Sequence, residues 1–155
     1  MGQRHHYRVR MTWTGNQGEG TKTYKSYTRN HVYEADGKPL IPGSSDPNFL
    51  GDASRWNPEE MLVASLSSCH KLWYLHLCSV RGIVVESYVD EAEGEMVEDE
   101  SGGHFTSVAL KPQIVISSGD VKAAQKLHHE AHKKCFIANS VNFPVKCEAQ
   151  ISRTE

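Results

Sequence analysis

The chain has 155 residues, with 17 Lys and Arg against 19 Asp and Glu, a formal net charge of −2. That length fits a single domain over 1–155, large enough to fold without a metal or disulfide staple. The balanced charge argues against a dedicated nucleic-acid binder. No run approaches the ~18 apolar residues of a membrane helix. The polar start, MGQRHHYRVR, lacks the apolar core of a signal peptide. A cytoplasmic, reducing setting is therefore expected, with Cys69, Cys78, Cys135 and Cys147 as free thiols. No CxxC pair is present, which removes the thioredoxin-like motif and the common zinc knuckles.

In chain order, Tyr7, Val9, Met11 and Trp13 alternate with Arg8, Arg10 and Thr12, the period of a strand. The turn over Gly15–Gly20 leads to a second predicted strand over Thr21–Val32, joined as a hairpin. Asp36–Trp56 is rich in Gly, Pro, Ser, Asp and Asn and is expected to be irregular. Asn57 suits an N-cap and Pro58 a first helical position, so a helix is expected from Pro58 to about Arg81, ending at Gly82. Its residues are small or apolar nearly all round, which predicts burial on most sides. Ile83–Val97 and His104–Ser118 read as strands. Between them the acidic run from Asp90 to Glu100 reads as a solvated hairpin end. Asp120 caps a second helix to about Cys135, and Asn142–Ser152 is a final strand. The order predicts an α+β fold.

Helix geometry separates two cysteines. Cys69 and Cys78 are nine residues apart, so they point about 180° from one another and lie about 13 Å apart along the axis. Cys69 shares a stripe with Leu62, Ser65, Leu66, Leu72, Trp73 and His76, the setting of a buried small hydrophobe. A thiolate there needs a cation from another segment, because mid-helix it has no help from the helix dipole. Arg29 and Arg55 are the candidates. His128 and His132 lie on one helical face near Cys135, but Lys133 breaks the HExxH pattern. Ligands on one helix alone do not make a metal site, and none is expected. Cys78 and Cys147 read as core filler.

Asn57-Pro58-Glu59-Glu60 followed by Val63-Ala64-Ser65-Leu66-Ser67-Ser68-Cys69-His70 resembles the central-helix signature of the OsmC/Ohr family (osmotically inducible and organic hydroperoxide resistance proteins). Ala131–Asn139 resembles that family's second-cysteine segment, with Phe136-Ile137-Ala138 where many members have Pro-Tyr-Ser. Tyr27 and His31 around Arg29, and His70 after Cys69, suit the OsmC-like branch. The resemblance implies antiparallel sheets packed around two long helices in an intertwined homodimer. It implies a peroxidase that reduces organic hydroperoxides without a redox cofactor. By this likeness Cys69 is the peroxidatic thiol, Cys135 the resolving thiol, and Glu59 and Arg29 the supporting pair. The reductant is an external dithiol, often a lipoylated protein. A non-catalytic binding or redox-sensor protein on the same fold is the other reading. Glu59 and Cys69 are ten residues apart, about 15 Å on a continuous helix. A single Arg of about 7 Å reach cannot easily touch both. Either the first turns are irregular, or one site draws its Glu and Cys from different chains.

Overall fold

Nine strands and two α-helices, in the order β1–β3, α1, β4–β7, α2, β8–β9, make up the computed structural model, which describes residues 2–155. Two compact units are present, one reaching to Met61 and the other covering Leu62–Glu155.

The first unit holds an antiparallel sheet in the order β1-β2-β3, made of Arg10–Trp13, His31–Glu34 and Ile41–Gly43. Met11 faces Tyr33 and Trp13 faces His31 in its register. The predicted second strand is displaced. Thr21–Ser26 is turn, folded on Ser26 Oγ, which donates to Gly20 O and Thr23 O. Those local hydrogen bonds compete with a ladder and win. The predicted irregular stretch holds β3 and a short 3-10 helix, Pro47–Phe49, capped by Asp46.

The helix α1 spans Pro58–Val80. Asn57 Oδ1 accepts from Glu60 N at 2.8 Å, the expected cap. Gly82 takes φ 71° just past the end, and Ile83 N returns to Cys78 O at 3.0 Å. Burial on most sides is not observed. Leu66, His70, Tyr74, Leu77 and Cys78 form one buried stripe, whereas Leu72 and Val80 are exposed.

Two mixed sheets and a second helix follow in the second unit. One has the order β4-β7-β9, from Val84–Asp90, Pro112–Ser118 and Gln150–Arg153. The other has the order β5-β6-β8, from Glu93–Asp99, Gly102–Leu110 and Val145–Cys147. Each predicted long strand is thus two shorter ones, broken at Glu91-Ala92, at Lys111 and at Glu148-Ala149. The expected antiparallel pairing holds for β4 with β7 and for β5 with β6. The last two strands add in parallel, with Leu110 opposite Cys147 and Ile114 opposite Ile151. The helix α2, Val121–Lys134, is capped as predicted by Asp120, whose Oδ2 accepts from Ala123 N.

The core lies in the second unit. Tyr74, Leu77, Cys78, Ile83, Ile114, Ile116, Ala124, Leu127 and Ala131 pack into one cluster. Leu66, Val108 and Leu110 centre a second. Cys78 is core, as expected. Asp90 departs from the solvated reading of the acidic run: its carboxylate accepts from Ser67 Oγ and from Lys111 N.

Candidate active site

Cys69 sits in the middle of α1 and is half-buried. Cys135 follows the last turn of α2 and is 1% exposed. The structure brings these two near one another, close enough for Cys69 to act on the Cys135 thiol. Two segments far apart in sequence thus place an accessible thiol beside a buried one. Burial pushes the Cys135 thiol up to about 11, the Cys69 contact adds to the rise, and Ala138 N, which donates to Cys135 Sγ at 3.4 Å, opposes it. Trp73 and Phe136 meet edge-to-face 5.5 Å apart, and Lys134 Nζ lies 5.5 Å above the Trp73 ring. Trp73 lies one turn from Cys69 along α1, and Phe136, which follows Cys135, is largely exposed.

Arg29 and Glu59 belong to the first unit. The Arg29 guanidinium donates to Tyr27 O at 2.8 Å and to Tyr24 O at 2.7 Å, and both tyrosine rings lie about 4 Å from it. It borders an open cavity of about 380 Å³ with Lys25, Leu50 and Asp52. Arg55 is held instead by Gly43 O and His31 O, each at 2.9 Å. Glu59 Oε2 is shielded from solvent and has no hydrogen-bond partner. No ion pair joins it to Arg29 among the described residues. Because α1 is helical from Pro58 onward, an irregular first turn does not bring Glu59 nearer Cys69.

The remaining cysteine departs from its reading as strand filler. Cys147 Sγ lies 3.7 Å from His70 Nε2 and 3.6 Å from His128 Nδ1. His128, on the α2 face it shares with His132, reaches His70 across the fold, 3.0 Å away. Separations of 58 and 77 residues leave no local signal for such a cluster.

A family model described as OsmC-like protein matches residues 51–150. The chain belongs to the OsmC/Ohr family. An OsmC-like protein of Vibrio cholerae is 35% identical, with a TM-score of 0.86 over 95% of this chain and 100% of that one. YmaD, an uncharacterized protein of Bacillus subtilis (strain 168), is 26% identical over 96% of this chain and 94% of its own. The organic hydroperoxide resistance protein OhrB of Bacillus subtilis shares the fold at 20% identity, with a TM-score of 0.61 over 93% of this chain and 98% of that one. Membership accounts for the α+β fold of this OsmC-like chain. No helix among its described residues is long and apolar enough to cross a membrane.

Proposed function

We propose that the chain is a cysteine-based peroxidase that reduces organic hydroperoxides to alcohols, working as a single OsmC-like domain over 1–155 in the cytoplasm. The observation that carries this reading is the half-buried Cys69 thiol set beside the buried Cys135 thiol. The Cys69 thiolate attacks the distal peroxide oxygen, the O–O bond breaks, and the alkoxide leaves with a proton as alcohol. Cys69 is then a sulfenic acid. The Cys135 sulfur attacks the Cys69 sulfur, expelling water and forming the disulfide. An external dithiol, a lipoylated protein being the expected kind, reduces that bond by exchange and becomes a disulfide itself. The aromatic pair Trp73 and Phe136 favours an alkyl or lipid hydroperoxide over hydrogen peroxide.

Arg29 is assigned to lower the thiol pKa and hold the peroxide oxygen, and Glu59 to fix that guanidinium. The unpartnered Glu59 oxygen supports this role, since a shielded carboxylate calls for a cation. The rise of about 15 Å between Glu59 and Cys69 along α1 supports a site completed by a second copy in a homodimer. The second reading, a redox sensor or binding protein, draws on the same arginines. Both guanidiniums already hold backbone carbonyls, so the thiol has to compete for activation.

The test is a disulfide map. Equimolar cumene hydroperoxide should yield Cys69–Cys135 within minutes by mass spectrometry. Peroxide consumption should vanish in Cys69→Ser and persist in Cys78→Ser. Thiols that stay reduced would refute the peroxidase. A disulfide that forms without repeated turnover on added dithiol would favour the sensor.

A further inference from the structure

Three side chains that the proposed peroxidase does not use converge inside the second unit. They come from three different elements: His70 from α1, His128 from α2 and Cys147 from β8. Their ligating atoms, Nε2, Nδ1 and Sγ, all lie within 4.8 Å of one another. His70 is 1% exposed and His128 is 5% exposed, whereas Cys147 is partly open to solvent.

The spacing is close to that of a coordination sphere. With Zn–N of about 2.0–2.1 Å and Zn–S of about 2.3 Å, tetrahedral angles put two nitrogens about 3.4 Å apart and nitrogen and sulfur about 3.6 Å apart. The observed S···N distances are 3.6 and 3.7 Å, and the N···N distance is 3.0 Å. The sulfur therefore already stands where a ligand would. To hold an ion the imidazoles need to part by a few tenths of an ångström and each to swing by about 35°, so that their lone pairs meet off the line that joins them.

That parting amounts to replacing the proton now shared between them. The rings are parallel to within 4°, with centroids 5.3 Å apart, so each nitrogen points at the other. Only one of the two carries the bridging hydrogen. His128 is further fixed by Tyr74, whose ring stacks on it at 3.9 Å and whose hydroxyl donates to Ala124 O. Its Nε2 is buried without a partner, so the ring gains nothing from its outer edge and its only polar contacts are with His70 and Cys147. A neutral imidazole has one nitrogen with a free lone pair, so once the bridging hydrogen has moved each ring can offer one nitrogen to the ion.

We propose that His70, His128 and Cys147 form a binding site for a borderline-soft divalent metal ion, Zn(II) by chemical class, with water or another small ligand in the fourth position. Two imidazoles and a thiolate suit Zn(II) and disfavour Mg(II) and Ca(II), which take oxygen ligands. On binding, the bridging hydrogen moves to the other nitrogen of its own ring and the Cys147 thiol releases its proton to solvent. Each bound ion therefore frees one proton, and no electron is transferred. Cys147, the one partly exposed residue of the three, marks the side from which an ion would enter. The site is separate from Cys69 and Cys135, so it stands or falls independently of the peroxidase reading.

The experiment is a titration of the reduced, chelator-stripped full chain with Co(II) and Zn(II). One equivalent of Co(II) should give a thiolate-to-cobalt charge-transfer band, displaced by Zn(II), and the same band should appear in Cys69→Ser and in Cys135→Ser. The isosteric Cys147→Ser should lose the band and bind Zn(II) more weakly by over about 10-fold, since outer partners of a metal alone cost about 10–100-fold. Thermal melting of each variant separates lost binding from lost folding: at the same Zn(II) concentration the midpoint should rise in the wild type and rise clearly less in Cys147→Ser. A band that survives in Cys147→Ser, one that vanishes in Cys69→Ser, or a folded wild-type chain that binds no metal would overturn the assignment.

Discussion

The paired imidazoles of His70 and His128 make the fold acid-sensitive in a way that can be worked out in advance. Both are neutral in the folded chain, held at about 4 and about 3 against an ordinary 6.5, chiefly by burial. Unfolding returns each ring to water, where it takes up a proton below pH 6.5. Their stabilising contribution is therefore complete above pH 6.5 and is lost as the pH falls toward the folded values. At pH 5 the unfolded rings are about 97% protonated, which favours the unfolded state by about 2 kcal/mol per ring, or about 4 kcal/mol for both. Urea unfolding at pH 7.5 and pH 5, followed by far-ultraviolet circular dichroism with a chelator present, measures the difference. With a urea slope of about 2 kcal/mol/M, the midpoint should fall by about 2 M. The double variant His70→Gln/His128→Gln has no ring to titrate there and should lose less than about 1 kcal/mol over the same interval. A wild-type chain equally stable at both pH values, or a double variant that loses as much as the wild type, would refute the assignment of the acid sensitivity to this pair.

Other consequences follow from the same packing. Because burial holds the Cys135 thiol near 11, closure of the disulfide on a Cys69 sulfenic acid should accelerate about tenfold per pH unit between pH 7 and 10; trapping the sulfenic acid with dimedone at each pH reads the rate, and a plateau already at pH 8.5 would contradict it. Leu66→Ala, at a fully buried position in the cluster with Val108 and Leu110, should cost about 3 kcal/mol in urea unfolding, whereas Leu72→Ala, on the exposed side of the same helix, should cost under about 1 kcal/mol. Asp120→Ala removes the acceptor for Ala123 N and should lower stability by about 1 kcal/mol, with Asp120→Asn recovering most of it.

What could be read from the chain before its structure follows the range of the interactions. Asn57, Pro58, Gly82 and Asp120 mark helix ends because capping acts over three or four residues, and each lies where expected. The second strand failed for the same reason turned round: Ser26 satisfies backbone groups locally, and side-chain alternation carries no record of that competition. The parallel placement of β8 beside β6 depends on the path of α2 and the segment after it, so no window around Cys147 could disclose it. That placement decides the chemistry. Read along one helix, His128 belonged with His132 and Cys135. In the fold, α2 ends by sending Cys135 to Cys69, while its buried face sends His128 to His70 and the parallel strand delivers Cys147 to both. The neighbours Cys69 and His70, about 100° apart on α1, thereby face two different clusters, one a pair of thiols and the other a pair of imidazoles with a thiol. A single residue step along one helix separates the proposed redox chemistry from the proposed metal chemistry. Substitutions at Cys69 and at Cys147 should therefore act independently, each removing one function and sparing the other.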